Sequence, residues 1–243
     1  MPVARSGHRE KGRLPAASAI AAERAKSPPK LSLAQRVQRI IDGVDQARWQ
    51  QLRERWLEGG DYTYRDHYPK YFDLARWLPG AVKAAGQAGL IDAAPRRVLD
   101  IGCGAGLFGR VCRDLGHEHV GLDIGNPMFR DMCAALGVTD LVHPVVRQEK
   151  LPADLRSFDA IVALAATFYW NEIVDNAKIE ANWQLADWLF FLADLRGRLN
   201  EGGLFLIKLN AMEDIPGEVM RLFEPAEQLA YNIFRFRRER LPG

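Results

Sequence analysis

Residues 98–109 read VLDIGCGAGLFG, from Val98 to Gly109. An apolar run, Val98 to Ile101, ends on three alternating glycines, Gly102, Gly104 and Gly106, and a helical pattern starts at Leu107. Glycines at such a junction allow a tight turn and let a ligand approach the backbone closely. The helix that follows turns its unpaired N–H groups toward the same place. An ordinary strand-to-helix turn has no use for three alternating glycines. The stretch is read as a cradle for a nucleotide-like ligand.

Outward from this cradle the chain alternates short apolar runs with helical stretches. Strands are expected at Val120–Leu122, Leu141–Val146, Phe158–Ala163 and Gly203–Leu209. Helices are expected over Leu107–Leu115, from Pro127 to Leu136, and over Trp183–Leu199. Strands that are apolar throughout, separated by helices, imply a parallel sheet covered on both faces. Right-handed crossovers put helices on both sides. The expected fold class is α/β: doubly wound, mostly parallel and Rossmann-like.

Two ligands compete for the glycine turn. Gly104 to Gly109 is formally a GxGxxG, and Asp123 lies about 20 residues on, as in the dinucleotide fingerprint, where an acid binds ribose. The same run is also D-x-G-x-G-x-G, starting with Asp100 at the strand end. A carboxylate beside the turn sits poorly next to a pyrophosphate. It suits a sulfonium cofactor that carries an α-amino group and no phosphate.

The run VLDIGCGAG, followed in order by VGLDI at 120–124, EKLP, FDAIVAL and LNEGGLFLIKLN, resembles the class I S-adenosylmethionine-dependent methyltransferases over roughly residues 95–210. The resemblance implies S-adenosyl-L-methionine as cofactor. Gly102 and Gly104, in a loop with Cys103 and Gly106, would form the floor under its methionine part. Asp100 would orient that loop or meet the α-amino group through water. Asp123 would accept the ribose hydroxyls, and Ile124 would pack on the adenine. Gln148 and Glu149 would lie along the adenine edge, where relatives often carry an acid and this chain has Arg147. Ala163 and Leu164 would offer carbonyls to the amino group.

Before the sheet, residues 1–30 hold seven Lys/Arg against two acids and few apolar side chains. That composition cannot offset ordering entropy, so a disordered tail is expected. Residues 31–90 read as a helical N-terminal cap, with one helix over Leu33–Leu57, a Gly59-Gly60 break, an aromatic segment from Asp61 to Leu78 closed by Pro79-Gly80, and a short helix to Leu90. Residues 91–243 form the cofactor-binding domain.

In open α/β sheets ligands occupy the crevice beyond the carboxyl ends of the strands. The acceptor pocket is therefore sought among Tyr68 and Tyr71 of the cap and Phe168, Tyr169 and Trp170 after the fourth strand. Methyl transfer is an in-line displacement that rests largely on orientation, and a base is needed only when the nucleophile must lose a proton. His67 and Glu172 are the candidates. His117 and His119 read as turn residues, and His143 as structural. The C-terminal FRFRR, Phe234 to Arg238, reads as an edge strand protected by basic residues.

A net charge of +2 gives no reason to expect a polyanionic partner, so nucleic acid is unlikely by composition. Three cysteines, Cys103, Cys112 and Cys133, lack metal-ligand or disulfide spacing and fit free thiols in a reducing cytoplasm. The longest apolar runs fall short of the roughly 20 residues that span a bilayer. The expectation is a cytoplasmic methyltransferase for a small-molecule acceptor, with no metal and an undetermined oligomeric state. The alternatives are a cofactor-binding protein of the same fold without catalysis, and an NAD-dependent oxidoreductase.

Overall fold

The computed structural model describes residues 30–58, 69–164, 166, 168–174, 177–210 and 215–243. Strand β1, Arg97–Ile101, pairs in parallel with β2, Glu118–Asp123, and with β4, Phe158–Leu164. Strand β3, Asp140–Val142, pairs with β2, and β7, Leu199–Lys208, with β4, again in parallel. Two antiparallel strands, β9 (Ile233–Arg237) and β8 (Glu227–Ala230), complete the order β3-β2-β1-β4-β7-β9-β8. The chain thus reverses its direction of travel across the sheet between β1 and β4. That is the switch point where open α/β sheets leave a crevice.

Alternate residues of the strands feed two cores. Val98, Ala160, Val162, Leu204 and Leu206 face one, with α4 (Leu107–Asp114) and α5 (Pro127–Leu136). Leu99, Ile161, Ala163, Phe205 and Ile207 face the other, with α6, Leu185–Arg198. Both faces are covered, which is why the strands read as unbroken apolar runs. Helices α1 (Leu33–Asp42), α2 (Gln46–Leu57) and α3 (Leu74–Gln87) join the first of these cores through Ile40, Trp49, Leu78 and Val82. Residues Leu31–Gly243 make one compact unit.

Four local readings are corrected. Leu33–Leu57 is two helices, because Gly43 caps the first and the Asp45 side chain accepts the Arg48 N–H to start the second. Pro79-Gly80 ends nothing, since α3 runs through both. The proline deprives the solvent-exposed Ala75 carbonyl of its partner, and burial of Leu74, Leu78, Val82, Ala84 and Ala85 offsets that cost. His119 lies inside β2 rather than in a turn.

The FRFRR segment is interior rather than an edge, for β9 lies between β7 and β8. Phe234 and Phe236 enter the second core, and Arg235 pairs across the strands with Glu227 at 2.6 Å. One element went unread. After β4 the chain forms an antiparallel hairpin, β5 (Tyr169–Val174) with β6 (Ala177–Asn182). Among the described residues no helix is long and apolar enough to cross a membrane, and no group of three His, Cys, Asp or Glu side chains is placed to hold a metal.

Candidate functional site

The three glycines form the tight turn their spacing suggested. Gly102, Gly104 and Gly106 have φ of 73°, 51° and 74°, in the left-handed region that side chains rarely adopt. A Cβ on Gly102 would stand 2.9 Å from that of Ala166, just beyond β4, so the loop and the chain leaving β4 approach as closely as their backbones allow. The N–H groups of Gly102 and Cys103 both donate to the Leu122 carbonyl, which fixes the loop against the end of β2. Gly106 caps α4 without a side-chain acceptor.

Asp123, the last residue of β2, is clamped at this loop. One carboxylate oxygen accepts the Gly104 N–H and the other accepts the Ile124 N–H, each at 2.8 Å. Burial raises its pKa, the two N–H donors counter that only in part, and the charges of Asp100 and Asp140 add to the rise. Each oxygen keeps a lone pair for a further donor. Beside it lies apolar surface in the open: Ile124 is 77 % exposed and Val142, the β3 partner of Asp123, is 53 % exposed. A clamped carboxylate next to exposed aliphatic side chains offers acceptors to a diol and a floor to a flat ring.

On the other side of the crevice β4 runs past β1. Its last β1 partner is Val162, opposite Asp100, whereas Ala163 and Leu164 pair with Ile207 and Lys208 of β7. The β1–β4 pairing thus stops one residue short of Ala163, while β4 continues beside β7. Phe129, in the first turn of α5, closes the loop side, its ring edge 3.8 Å from where a Gly104 Cβ would be. Tyr71 packs edge-on against Phe129 at 5.1 Å and so reaches the loop from the cap.

Other expected residues stand further back. Asp100 is 1 % exposed, beneath the loop, with His119 Nε2 3.4 Å from its carboxylate. The Cys103 thiol points down against Gly121, and its hydrogen bond with Cys133, then burial and the charge of Asp100, push its pKa far up. The Cys103 backbone is engaged within the loop as well, the N–H by the Leu122 carbonyl and the carbonyl by the Gly106 N–H. Gln148, at φ 56°, donates its amide N–H to buried Asp187 at the start of α6, while Glu149 is exposed. Phe168 packs among Trp183, Trp188 and Phe191 at 4.7–5.3 Å. His67 and Tyr68 lie outside the described residues. Tyr169, Trp170 and Glu172 belong to β5, and their side chains lie outside the described residues as well.

Phe129 was missed, although the Asn126-Pro127 start of its helix, with Asn126 accepting the Met128 and Phe129 N–H groups, is a legible signal. His117 is structural. It accepts the Arg96 N–H at Nδ1 and so donates from Nε2 to the Leu90 carbonyl at 2.8 Å, joining the helical region to β2.

The family profile described as "Methyltransferase domain" matches residues 98–185. The 18S rRNA (guanine-N(7))-methyltransferase of Bos taurus is 28% identical over 152 residues, 61% of this chain and 52% of that protein. The chain thus spans about half the length of the curated relative it matches. Among solved structures, the PH0226 protein of Pyrococcus horikoshii OT3 is 17% identical, over 73% of this chain and 99% of that one, with a TM-score of 0.49. The 16S rRNA N2 G1207 methyltransferase (RsmC) of T. thermophilus is 20% identical, over 66% and 42%, with a TM-score of 0.45. The left-handed glycine loop, the clamped carboxylate and the exposed aliphatic floor fit the methionine, ribose and adenine parts of S-adenosylmethionine. The family match falls on this very segment, so residues 98–185, from the glycine loop to the start of α6, are similar to a methyltransferase domain.

Proposed function

We propose that this protein transfers a methyl group from S-adenosylmethionine to a nucleophile seated beyond the carboxyl ends of β1 and β4. The observation that carries the reading is Asp123, held by two backbone N–H groups at the end of β2 with one lone pair per oxygen to spare. Its carboxylate would accept the ribose hydroxyls, and Ile124 and Val142 would lie against the adenine. The loop from Gly102 to Gly106 would take the methionine portion, with Ala163 and Leu164 supplying carbonyls to its amino group. When bound, the cofactor supplies a methyl group on a sulfonium centre, open to in-line displacement. The chain's own part is to fix that geometry and exclude water, with Phe129 and Tyr71 walling the loop side.

The composition favoured a small-molecule acceptor and argued against nucleic acid. The relative named for 18S rRNA gives that restriction no support, so the acceptor is stated here only as a nitrogen or oxygen nucleophile. His67 and Glu172 stay as candidates for the base should the nucleophile carry a proton. The test uses tritiated S-adenosylmethionine with two acceptor pools, a metabolite extract and total RNA. Label in either pool supports the reading. Tight binding of S-adenosylhomocysteine with label in neither would favour a cofactor-binding protein without catalysis.

A further inference from the structure

The cap region beside the glycine loop carries cations laid over aromatic faces. Lys70 Nζ lies 5.2 Å above the Tyr71 ring and Arg76 Cζ 5.5 Å above that of Trp77. The two rings stack at 5.7 Å with an interplanar angle of 26°. Trp77 Nε1–H donates to the Lys70 carbonyl at 2.8 Å, which locks the stack to the 3₁₀ turn Pro69–Phe72. On the other flank of α5, Arg55 Cζ lies 5.3 Å above the Trp56 ring, whose N–H bonds Asp131 at 3.1 Å. Lys70 and Arg76 are exposed and the rings are half-buried. Through Tyr71 and Phe129 the stack leads directly to Gly104.

We propose that this cationic and aromatic strip is a docking surface for a single-stranded nucleic acid, delivered across it to the methyl-transfer crevice. A base has a π-face that can take the place of the Arg76 cation over the Trp77 ring. The displaced Arg76 then swings, on a long flexible stem, to a phosphate beside that base, and exposed Lys70 reaches the next. One rearrangement satisfies both the ring and the charge. This is the chemistry of single-strand recognition, in which stacking supplies affinity without regard to sequence. Among the described residues, the nearby carboxylates leave the two cations available: Asp73 caps α3 by accepting the Arg76 backbone N–H, and Asp131 is ion-paired with Arg55. An acidic protein segment would match the charge but has no flat partner for two stacked rings. That the strand is brought to the loop for methylation rests on the function proposed above, whereas its binding to the strip does not.

The test is fluorescence anisotropy of the full chain with a labelled oligouridylate of about 15 nucleotides. Polyglutamate and a DNA duplex serve as competitors, and S-adenosylhomocysteine binding is measured alongside. Expected are saturable binding, at least tenfold weaker competition by either competitor, and a salt slope of log K. The double variant Lys70→Glu/Arg76→Glu is expected to bind at least tenfold more weakly, with a slope about 1.4 shallower for two lost phosphate contacts. Its melting temperature and its affinity for S-adenosylhomocysteine should match the wild type. Trp77→Leu, checked for folding by the same two measures, should bind about tenfold more weakly. Wild-type affinity in the double variant, or no binding of the oligouridylate by a protein that binds S-adenosylhomocysteine, overturns the proposal. Equal competition by polyglutamate also overturns it and points to an acidic protein partner. Retained oligouridylate binding without S-adenosylhomocysteine binding would instead sink the methyltransferase reading and leave the docking surface standing.

Discussion

Replacing Asp123 by Asn separates folding from ligand binding at the point on which the site turns. The carboxylate accepts two backbone N–H groups at 2.8 Å. Asparagine keeps one oxygen and turns an NH₂ group toward the second donor, so one hydrogen bond is lost, about 1 kcal/mol. Against that loss, the wild-type charge is held where burial outweighs the two donors, as its raised pKa reports, and the amide removes that burden. The two changes oppose each other. The unliganded fold should therefore shift by less than ~1 kcal/mol, or roughly 2–4 °C in melting temperature. The cofactor loses one charge-assisted bond from its ribose and keeps only a weaker one, about 2–3 kcal/mol, or roughly 30- to 150-fold in Kd. Calorimetric titration of S-adenosylhomocysteine, with melting curves of the unliganded proteins, reads both quantities. An affinity within threefold of wild type, or a fall in melting temperature large enough to explain the lost binding, would refute the reasoning.

Three further outcomes follow from the same geometry. Gly102→Ala forces an L residue to φ 73° with its Cβ 2.9 Å from that of Ala166, so it should cost about 2 kcal/mol in urea unfolding and more than tenfold in cofactor affinity. The raised pKa of Asp123 means the folded chain binds its proton more readily than the unfolded one. Stability from this group falls as pH climbs from the ordinary carboxylate value to the raised one, while cofactor affinity grows over the same window, and Asp123→Asn should flatten both profiles. Arg198 is buried and donates to the carbonyls of Leu151, Pro152 and Leu155 and to Asp194. Arg198→Ala takes the guanidinium donor from the Leu151 and Leu155 carbonyls and leaves Asp194, which keeps only the Leu151 N–H, without its cation, so equilibrium unfolding should register a loss of about 3–5 kcal/mol.

How much of this was legible in the sequence depended on the range of the signal. Local rules worked where one residue type has one physical use: three glycines at a strand end and Pro127 at the start of α5, whereas the Asp45 cap that splits Leu33–Leu57 went unread. Apolar runs gave the parallel strands, because burial on both faces removes the alternation an exposed face would impose. Where tertiary packing overrides local preference, the reading failed, as at Pro79 inside α3. The hairpin Tyr169–Asn182 was missed because its strands mix Asn, Glu and Lys with apolar residues and lie outside the main sheet. In the site, Asp123 was expected from its distance to the glycines, and Ile124 only from the family resemblance. The partner of Gln148 could not, since Asp187 lies 39 residues away and only the fold brings the two together. The same holds for Phe129 and Tyr71, whose meeting beside Gly104 follows from how the cap packs on α5.

The central claim is that the glycine loop and Asp123 hold S-adenosylmethionine rather than a dinucleotide, and a ligand-induced melting shift tests it most directly. A ligand at about 100 times its Kd stabilises the folded chain by about 2.7 kcal/mol. S-adenosylhomocysteine is predicted to raise the melting temperature of the wild type by the corresponding several degrees and that of Asp123→Asn by only about a tenth to a third as much at the same concentration, with NAD and NADH inert toward both. A shift with NAD or NADH and none with S-adenosylhomocysteine would contradict the account.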